Sequence, residues 1–382
     1  MLEMNSSFRK FLSDIRPTSN QLDDMRTGYK TLRNRLLDDE GLKSIIVSTF
    51  LQGSFRRATA VRPKGDKRAD VDLVVVTKLM REEYTPQQAM DLFVPFLDKH
   101  YEGKWKFQGR SIGIELSYVD LDLVITSAPT EAESVALKSA SVTSLDTPED
   151  VDDWRLVPSY VTFAERGLPG KGQLLELARK EAEWKLSPLH IPDREANQWD
   201  ETHPLAQIQW TWEKNKACNT HYVNVVKAIK WMRRIGPEAP KYPKGYPLEH
   251  LIGQCCPDSI NSVAEGITRT LEAIKANYGG YATLEMVPTM PDHGVPAHNV
   301  LHRLTGKDFA TFYDLMSAAA AVARKALDAK CEKDASEEWR KILGDKFPLS
   351  LKTESGSKDL RLGTTAAPGT AGPRPLKDQP FF

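Results

Sequence analysis

Ala69-Asp70-Val71-Asp72-Leu73-Val74-Val75-Val76 is the stretch that decides both fold and chemistry. Its β-branched, apolar residues read as a buried strand. Side chains alternate across a strand, so Asp70 and Asp72 share one face. Two like charges in a core repel one another and lose their hydration unless a cation lies between them. Hard carboxylate oxygens suit Mg²⁺, so the pair reads as a divalent-metal site. The plain alternative, two acids at a strand end in water, is weakened by the unbroken apolar run after Asp72.

Downstream, Val119-Asp120-Leu121-Asp122-Leu123-Val124-Ile125 repeats the pattern, after the strand-like Gly113–Tyr118. Two neighbouring strands with acids on one face can assemble three carboxylates around two metal ions, a device suited to phosphoryl transfer. Upstream, the β-branched run Ile45–Leu51 leads into Gly53-Ser54. A Gly lets phosphate approach the backbone, and the Ser N–H and hydroxyl can hold its oxygens. Gly-Ser alone is a trivial turn signal; its weight comes from the order strand, Gly-Ser, about fifteen residues, then Asp-x-Asp on a strand.

Taken together, Leu51-Gln52-Gly53-Ser54, Asp70-Val71-Asp72-Leu73-Val74-Val75 and Asp122-Leu123-Val124 resemble the polymerase-β-type nucleotidyltransferase signature. More narrowly, GSFRRATAVRP (53–63), the segment Trp199–Pro204, WTWEKN (210–215), the helix-like Val225–Arg233, Lys244–Glu249 and Val287–Leu301 are similar to the bacterial cGAS/DncV-like nucleotidyltransferases, relatives of oligoadenylate synthase, and within them to clade D. The resemblance spans roughly residues 5–330. It implies an α+β fold: a nucleotidyltransferase core with a small mixed sheet, and a C-terminal helical, oligoadenylate-synthase-like domain.

The same resemblance implies roles. Asp70 and Asp72 would bind both Mg²⁺ (or Mn²⁺) ions, and Asp122 would complete the site and help deprotonate the attacking hydroxyl. Asp120 is the rival for that third place; Asp122 is preferred because Leu-Val-Ile follows it, as in the family pattern. Gln52 and Ser54, with Gly53, would hold the donor triphosphate. Lys230 matches the family's phosphate-binding lysine and Tyr246 its base-stacking aromatic, although Gly245 stands where several relatives carry Ser. The implied reaction is attack of a ribose hydroxyl on an α-phosphate, releasing pyrophosphate. The implied product is a cyclic di- or trinucleotide containing adenine, a second messenger in antiphage defence. Alternatives are a linear oligoadenylate or terminal nucleotide-adding polymerase, and a non-catalytic binding protein whose mark would be a broken carboxylate set.

The remaining sequence sets bounds. The 382 residues suffice for two domains. Lys+Arg and Asp+Glu balance at 52 each, so no global field draws the chain onto a long nucleic acid; ATP and other NTPs remain open as partners. No apolar run is long enough for a membrane span, the N-terminus lacks a signal-peptide h-region, and four cysteines without C-x-x-C pairing suit a reducing cytoplasm. Helical spacing is expected over 5–40, broken at Pro17, to brace both domains; a helix over 86–100 is expected in the catalytic domain, 41–190. Residues 188–204 read as irregular, and long helices dominate 205–327 in a helical domain of 191–335. His298 and His302 lack a third ligand and read as structural, and Trp199, Trp210, Trp212 and Trp231 as core. The Gly-, Pro- and Thr-rich tail 352–382 reads as disordered; its terminal Phe381-Phe382 leaves open a solvated remnant, a fold-back onto an apolar groove of the helical domain, or, as the resemblance implies, contact with a regulatory protein partner.

Overall fold

The computed structural model describes residues 2–65, 67–127, 143–144, 188–235 and 239–351. The tail 352–382, for which disorder was expected, lies outside them, as does Leu174–Ala178, where the apolar residues fall at helical spacing.

Two helices open the chain. The first, α1 (Asn5–Ile15), stops just before Pro17, and α2 (Ser19–Asp38) begins at a capping box in which Thr18 Oγ1 accepts from Gln21 N–H while the Gln21 side chain accepts from Thr18 N–H. A mixed sheet follows, built from β1 (Ile46–Gln52), β2 (Ala69–Thr77), β3 (Trp105–Phe107), β4 (Ile112–Glu115), β5 (Val119–Thr126) and β6 (Thr143–Ser144). Its strand order is β3-β4-β5-β2-β1-β6. The central pair β2 and β5 runs parallel and in register, so Asp70 faces Asp120 and Asp72 faces Asp122; β1 lies antiparallel on the other side of β2, with Gln52 opposite Asp72.

The two faces of this sheet differ. Ala69, Val71, Leu73 and Val75 of β2, with Val119, Leu121, Leu123 and Ile125 of β5, pack with Met25, Tyr29, Leu32 and Leu36 of α2. The other face carries the acids at one end and, two residues on, Val74, Val76 and Val124 in a small cluster with Val47, Phe50 and Leu189. An apolar floor thus holds the carboxylates at a defined height on an otherwise dry strand pair.

The expected helix over 86–100 is two short helices, α4 (Pro86–Asp91) and α5 (Val94–Tyr101), after the four-residue α3 (Gly53–Arg56). Pro95 explains the break, because it has no N–H to continue the preceding helix. Residues 188–204, expected to be irregular, contain a hairpin, β7 (Leu189–Asp193) and β8 (Gln198–Thr202), paired antiparallel. Pro192 and the charged run around it hide the strand pattern.

Among the described residues of the second half there are six further helices: α6 (Pro204–Ala217), α7 (Tyr222–Arg234), α8 (Tyr246–Cys255), α9 (Val263–Thr283), α10 (Gly306–Leu327) and α11 (Glu332–Leu343). They share one core with α1, whose Phe8 ring meets Trp339 and Phe347 edge-on at 5.0 Å each. So α1 belongs to the helical core and α2 to the sheet. Trp231 is buried, as expected of a core residue. Helix α11 was not anticipated: it is mostly charged, and its cap is Cys331, whose Sγ accepts from Asp334 N–H, a residue that gives no capping signal in sequence.

Candidate active site

Ligand oxygens of Asp70, Asp72 and Asp122 come within 4.8 Å of one another. Among the described residues this is the one cluster of three side chains competent to hold a metal. Asp120, the rival, is engaged elsewhere: its carboxylate accepts from Arg68 Nε at 2.6 Å, and Arg68 also reaches Glu115.

The cluster is electrostatically poor without a cation. Asp70 is exposed near the start of β2, yet the partial loss of its hydration among the surrounding groups raises it to about 8, reinforced by repulsion from Asp72, Asp122 and Asp120, with Lys230 opposing. Asp122 rises to about 6, again by burial first and then by Asp72, while the Gln108 amide donating at 2.8 Å pulls it back. Asp72 is also raised by burial, and Arg57 and Lys230 hold it partly down. Three oxygen donors that repel one another on a rigid strand pair fit a hard divalent cation.

Gly53 sits where β1 runs into α3, with φ +73°, and a Cβ there would fall 1.7 Å from Asp72 Oδ2. The position therefore needs glycine twice, for its backbone angle and for room beside the carboxylate. Gln52 and Ser54 flank it, so the structure brings the Gly-Ser turn and the three acids to one place.

Lys230 is nearby but already engaged. It is buried on α7 and donates to Glu249 Oε1 at 2.9 Å and to the Thr59 carbonyl at 3.0 Å. Arg57, buried just after α3, donates its Nε to the other Glu249 oxygen at 3.0 Å. Burial would lift the Glu249 carboxyl, but the two cations more than cancel this and leave it at about 2. Arg57 also lies over the Tyr246 ring, 5.1 Å from its centre, at the start of α8. Tyr246 is thereby linked to the carboxylates through Arg57. It lines a cleft of about 510 Å³ with Arg110, Tyr242, Asp292, His298 and Arg303. His298 and His302 line that cleft.

The roles of Arg57, Glu249 and Gln108 are not foreseen from the sequence. Glu249 offered a signal, an acid inside the apolar run of α8, which a buried helix tolerates only with a cationic partner. Arg57 offered none, since its partner lies 192 residues on, and Gln108, an ordinary turn residue, offered none either.

Comparison with known proteins decides the family. A "Probable cyclic AMP-AMP-GMP nucleotide synthase" of Salmonella paratyphi B is 49% identical over 354 residues, covering 91% of this chain and 93% of that protein. The chain belongs to the cGAS/DncV-like nucleotidyltransferases. A "Cyclic AMP-AMP-GMP synthase" of Enterobacter hormaechei subsp. hoffmannii is 48% identical over 91% of this chain and 93% of its own length. Residues 2–131 match the Second Messenger Oligonucleotide or Dinucleotide Synthetase domain. Among solved structures, Bradyrhizobium diazoefficiens CdnG in complex with GTP aligns with TM-score 0.62 at 12% identity, over 89% of this chain and 95% of that one. The E. coli MS115-1 CdnC:HORMA-deltaN complex aligns with TM-score 0.58 at 16% identity, over 91% and 99%. These structures share the fold. As a member of its family, this cGAS/DncV-like protein is a nucleotidyltransferase that makes a cyclic oligonucleotide second messenger from nucleoside triphosphates.

Proposed function

We propose that the chain condenses two ATP and one GTP into cyclic AMP-AMP-GMP, using Mg²⁺ held by Asp70, Asp72 and Asp122. The choice of bases follows the two relatives near half identity; a "Cyclic AMP-AMP-AMP synthase" of an Acinetobacter strain is only 28% identical, over 94% of this chain and 89% of its own. The observation that carries the catalytic assignment is the convergence of the three carboxylates beside Gly53-Ser54.

When bound, the divalent ions supply charge neutralisation at the transferred α-phosphate and acidify the attacking hydroxyl. The chain's own residues do the rest. Gln52, Gly53 and Ser54 cradle the donor triphosphate at the end of β1. Asp122, the acid on the neighbouring strand, takes the proton of the attacking ribose hydroxyl. The Arg57–Glu249–Lys230 group carries one net positive charge beside Asp72 and offsets the phosphate charge. In this arrangement Glu249 and Thr59 occupy two of the three N–H donors of Lys230, so at most one is left for a phosphate oxygen. Tyr246, backed by Arg57, presents its ring to a base in the cleft.

The four cysteines are free and buried, which suits a reducing cytoplasm, and no helix among the described residues is long and apolar enough to cross a membrane. We place the enzyme there, acting in antiphage defence under the control of a regulatory protein partner.

The test is product analysis. Purified protein with labelled ATP, GTP, CTP and UTP should yield a phosphatase-resistant product that needs both ATP and GTP and has the mass of the cyclic trinucleotide. Asp70→Asn with Asp72→Asn should abolish it. A linear, phosphatase-sensitive product would instead indicate an oligonucleotide polymerase.

A further inference from the structure

We propose that Gln108 is a positioning residue that aims Asp122, acting with Ser111 and the side-chain-free strand position Gly113. The inference rests on Asp122 being a metal ligand, as proposed above. Gln108 opens the turn that follows β3, and its amide Nε2 donates to Asp122 Oδ1 at 2.8 Å. An ionised carboxylate can only accept, so the amide must present its nitrogen there. The rest of the turn enforces that orientation: the Ser111 hydroxyl donates to Gln108 Oε1 at 3.1 Å, and Gln108 N–H donates to the Ser111 carbonyl at 2.8 Å. The turn is itself tied down, since Arg194 N–H donates to the Gly109 carbonyl at 2.9 Å and Arg110 Nε reaches Asp193 at 2.9 Å.

Gly113 completes the device. It lies directly opposite Asp122 in the β4–β5 ladder. A Cβ at this position would stand 2.4 Å from Gln108 Nε2 and 3.6 Å from Asp122 Oδ1. The missing side chain is the space through which the amide reaches across the ladder. The amide on Oδ1 fixes the rotation of the Asp122 carboxylate and leaves lone pairs free on both oxygens for a cation. Asp122 is thus tied by a side chain from the turn between β3 and β4. Partners one step behind a ligand commonly change metal affinity or activity by about 10–100-fold.

Gln108 is solvent-exposed, so replacing it disturbs no core. The experiment measures Mn²⁺ affinity by electron paramagnetic resonance in the full chain, with α,β-methylene-ATP present, beside thermal melts and the metal dependence of turnover. Gln108→Met, similar in shape but without the amide, should melt with the wild type, bind Mn²⁺ about 10–100-fold more weakly, and need correspondingly more metal for half-maximal rate. Gly113→Ala should show the same defect, and combining it with Gln108→Met should add little, because both remove one contact. Wild-type Mn²⁺ affinity in Gln108→Met overturns the inference, as does full additivity of the two substitutions. Asp122→Ala separates the levels: if it weakens Mn²⁺ binding while Gln108→Met does not, only the positioning role falls. If Asp122→Ala also binds Mn²⁺ like wild type, the metal site itself is misassigned and the inference falls with it.

Discussion

Replacing Asp122 by Asn should stabilise the metal-free enzyme while disabling it. The folded protein raises this carboxyl from 3.8 to about 6, chiefly by burial and then by repulsion from Asp72. The penalty is absent below about pH 3.8, where folded and unfolded chains are both protonated. It grows as the unfolded carboxyl ionises and is complete above about pH 6. At about 1.36 kcal/mol per unit this amounts to at most about 3 kcal/mol, and to roughly 1–2 kcal/mol once solvent screening of a partly exposed group is allowed for. Asn keeps an oxygen for the Gln108 amide and removes only the charge. Urea unfolding in EDTA at pH 8 should therefore favour the variant by about 1–2 kcal/mol, with the gap closing as the pH approaches 4. Adding Mg²⁺ and nucleotide should stabilise the wild type and leave the variant nearly unchanged. Equal stability of the two proteins at pH 8 without metal would refute the electrostatic reasoning.

Gly53→Ala forces a left-handed φ on a residue with a Cβ and drives that Cβ into Asp72 Oδ2. It should cost about 1–3 kcal/mol in a thermal or chemical melt and lower turnover by at least ~100-fold; near-normal turnover would contradict the geometry. Glu249→Gln leaves Arg57 and Lys230 buried without their carboxylate and should destabilise by about 3 kcal/mol or more at pH 7. The Glu249 contribution is present above about pH 4.5 and lost as pH falls toward about 2, so denaturation profiles of the two proteins should converge in acid. Asp120→Ala should hold steady-state turnover within a few-fold of wild type, whereas Asp122→Ala should lose orders of magnitude; the reverse ranking would mean that Arg68 guards the wrong acid.

The parts of the molecule legible in sequence are those whose signal is local. Asp70 and Asp72 share a strand, and the period-2 rule alone puts them on one face. The same rule puts Asp120 and Asp122 on one face and cannot separate them. What separates them is the Arg68 side chain, two residues before Asp70, folding across to Asp120. The Arg57–Glu249–Lys230 group joins residues up to 192 positions apart in the chain, and no periodicity reports such a contact. Lys230 shows the same limit from the other side, since resemblance marks its position while the structure shows that Glu249 already holds it. Helix boundaries followed prolines where these were ordinary, as at Pro17. They were missed where Pro95 interrupts an apolar stripe and where Cys331 serves as a cap.

The central claim is that Asp70, Asp72 and Asp122 together hold the ions at which nucleotidyl transfer occurs. Anomalous diffraction at the manganese edge, from crystals grown with Mn²⁺ and non-reactive ATP and GTP analogues, tests it most directly. The account predicts manganese peaks within about 2–2.5 Å of carboxylate oxygens of all three residues, with Asp120 still on Arg68. Manganese bound without Asp122, or coordinated by Asp120, would contradict it.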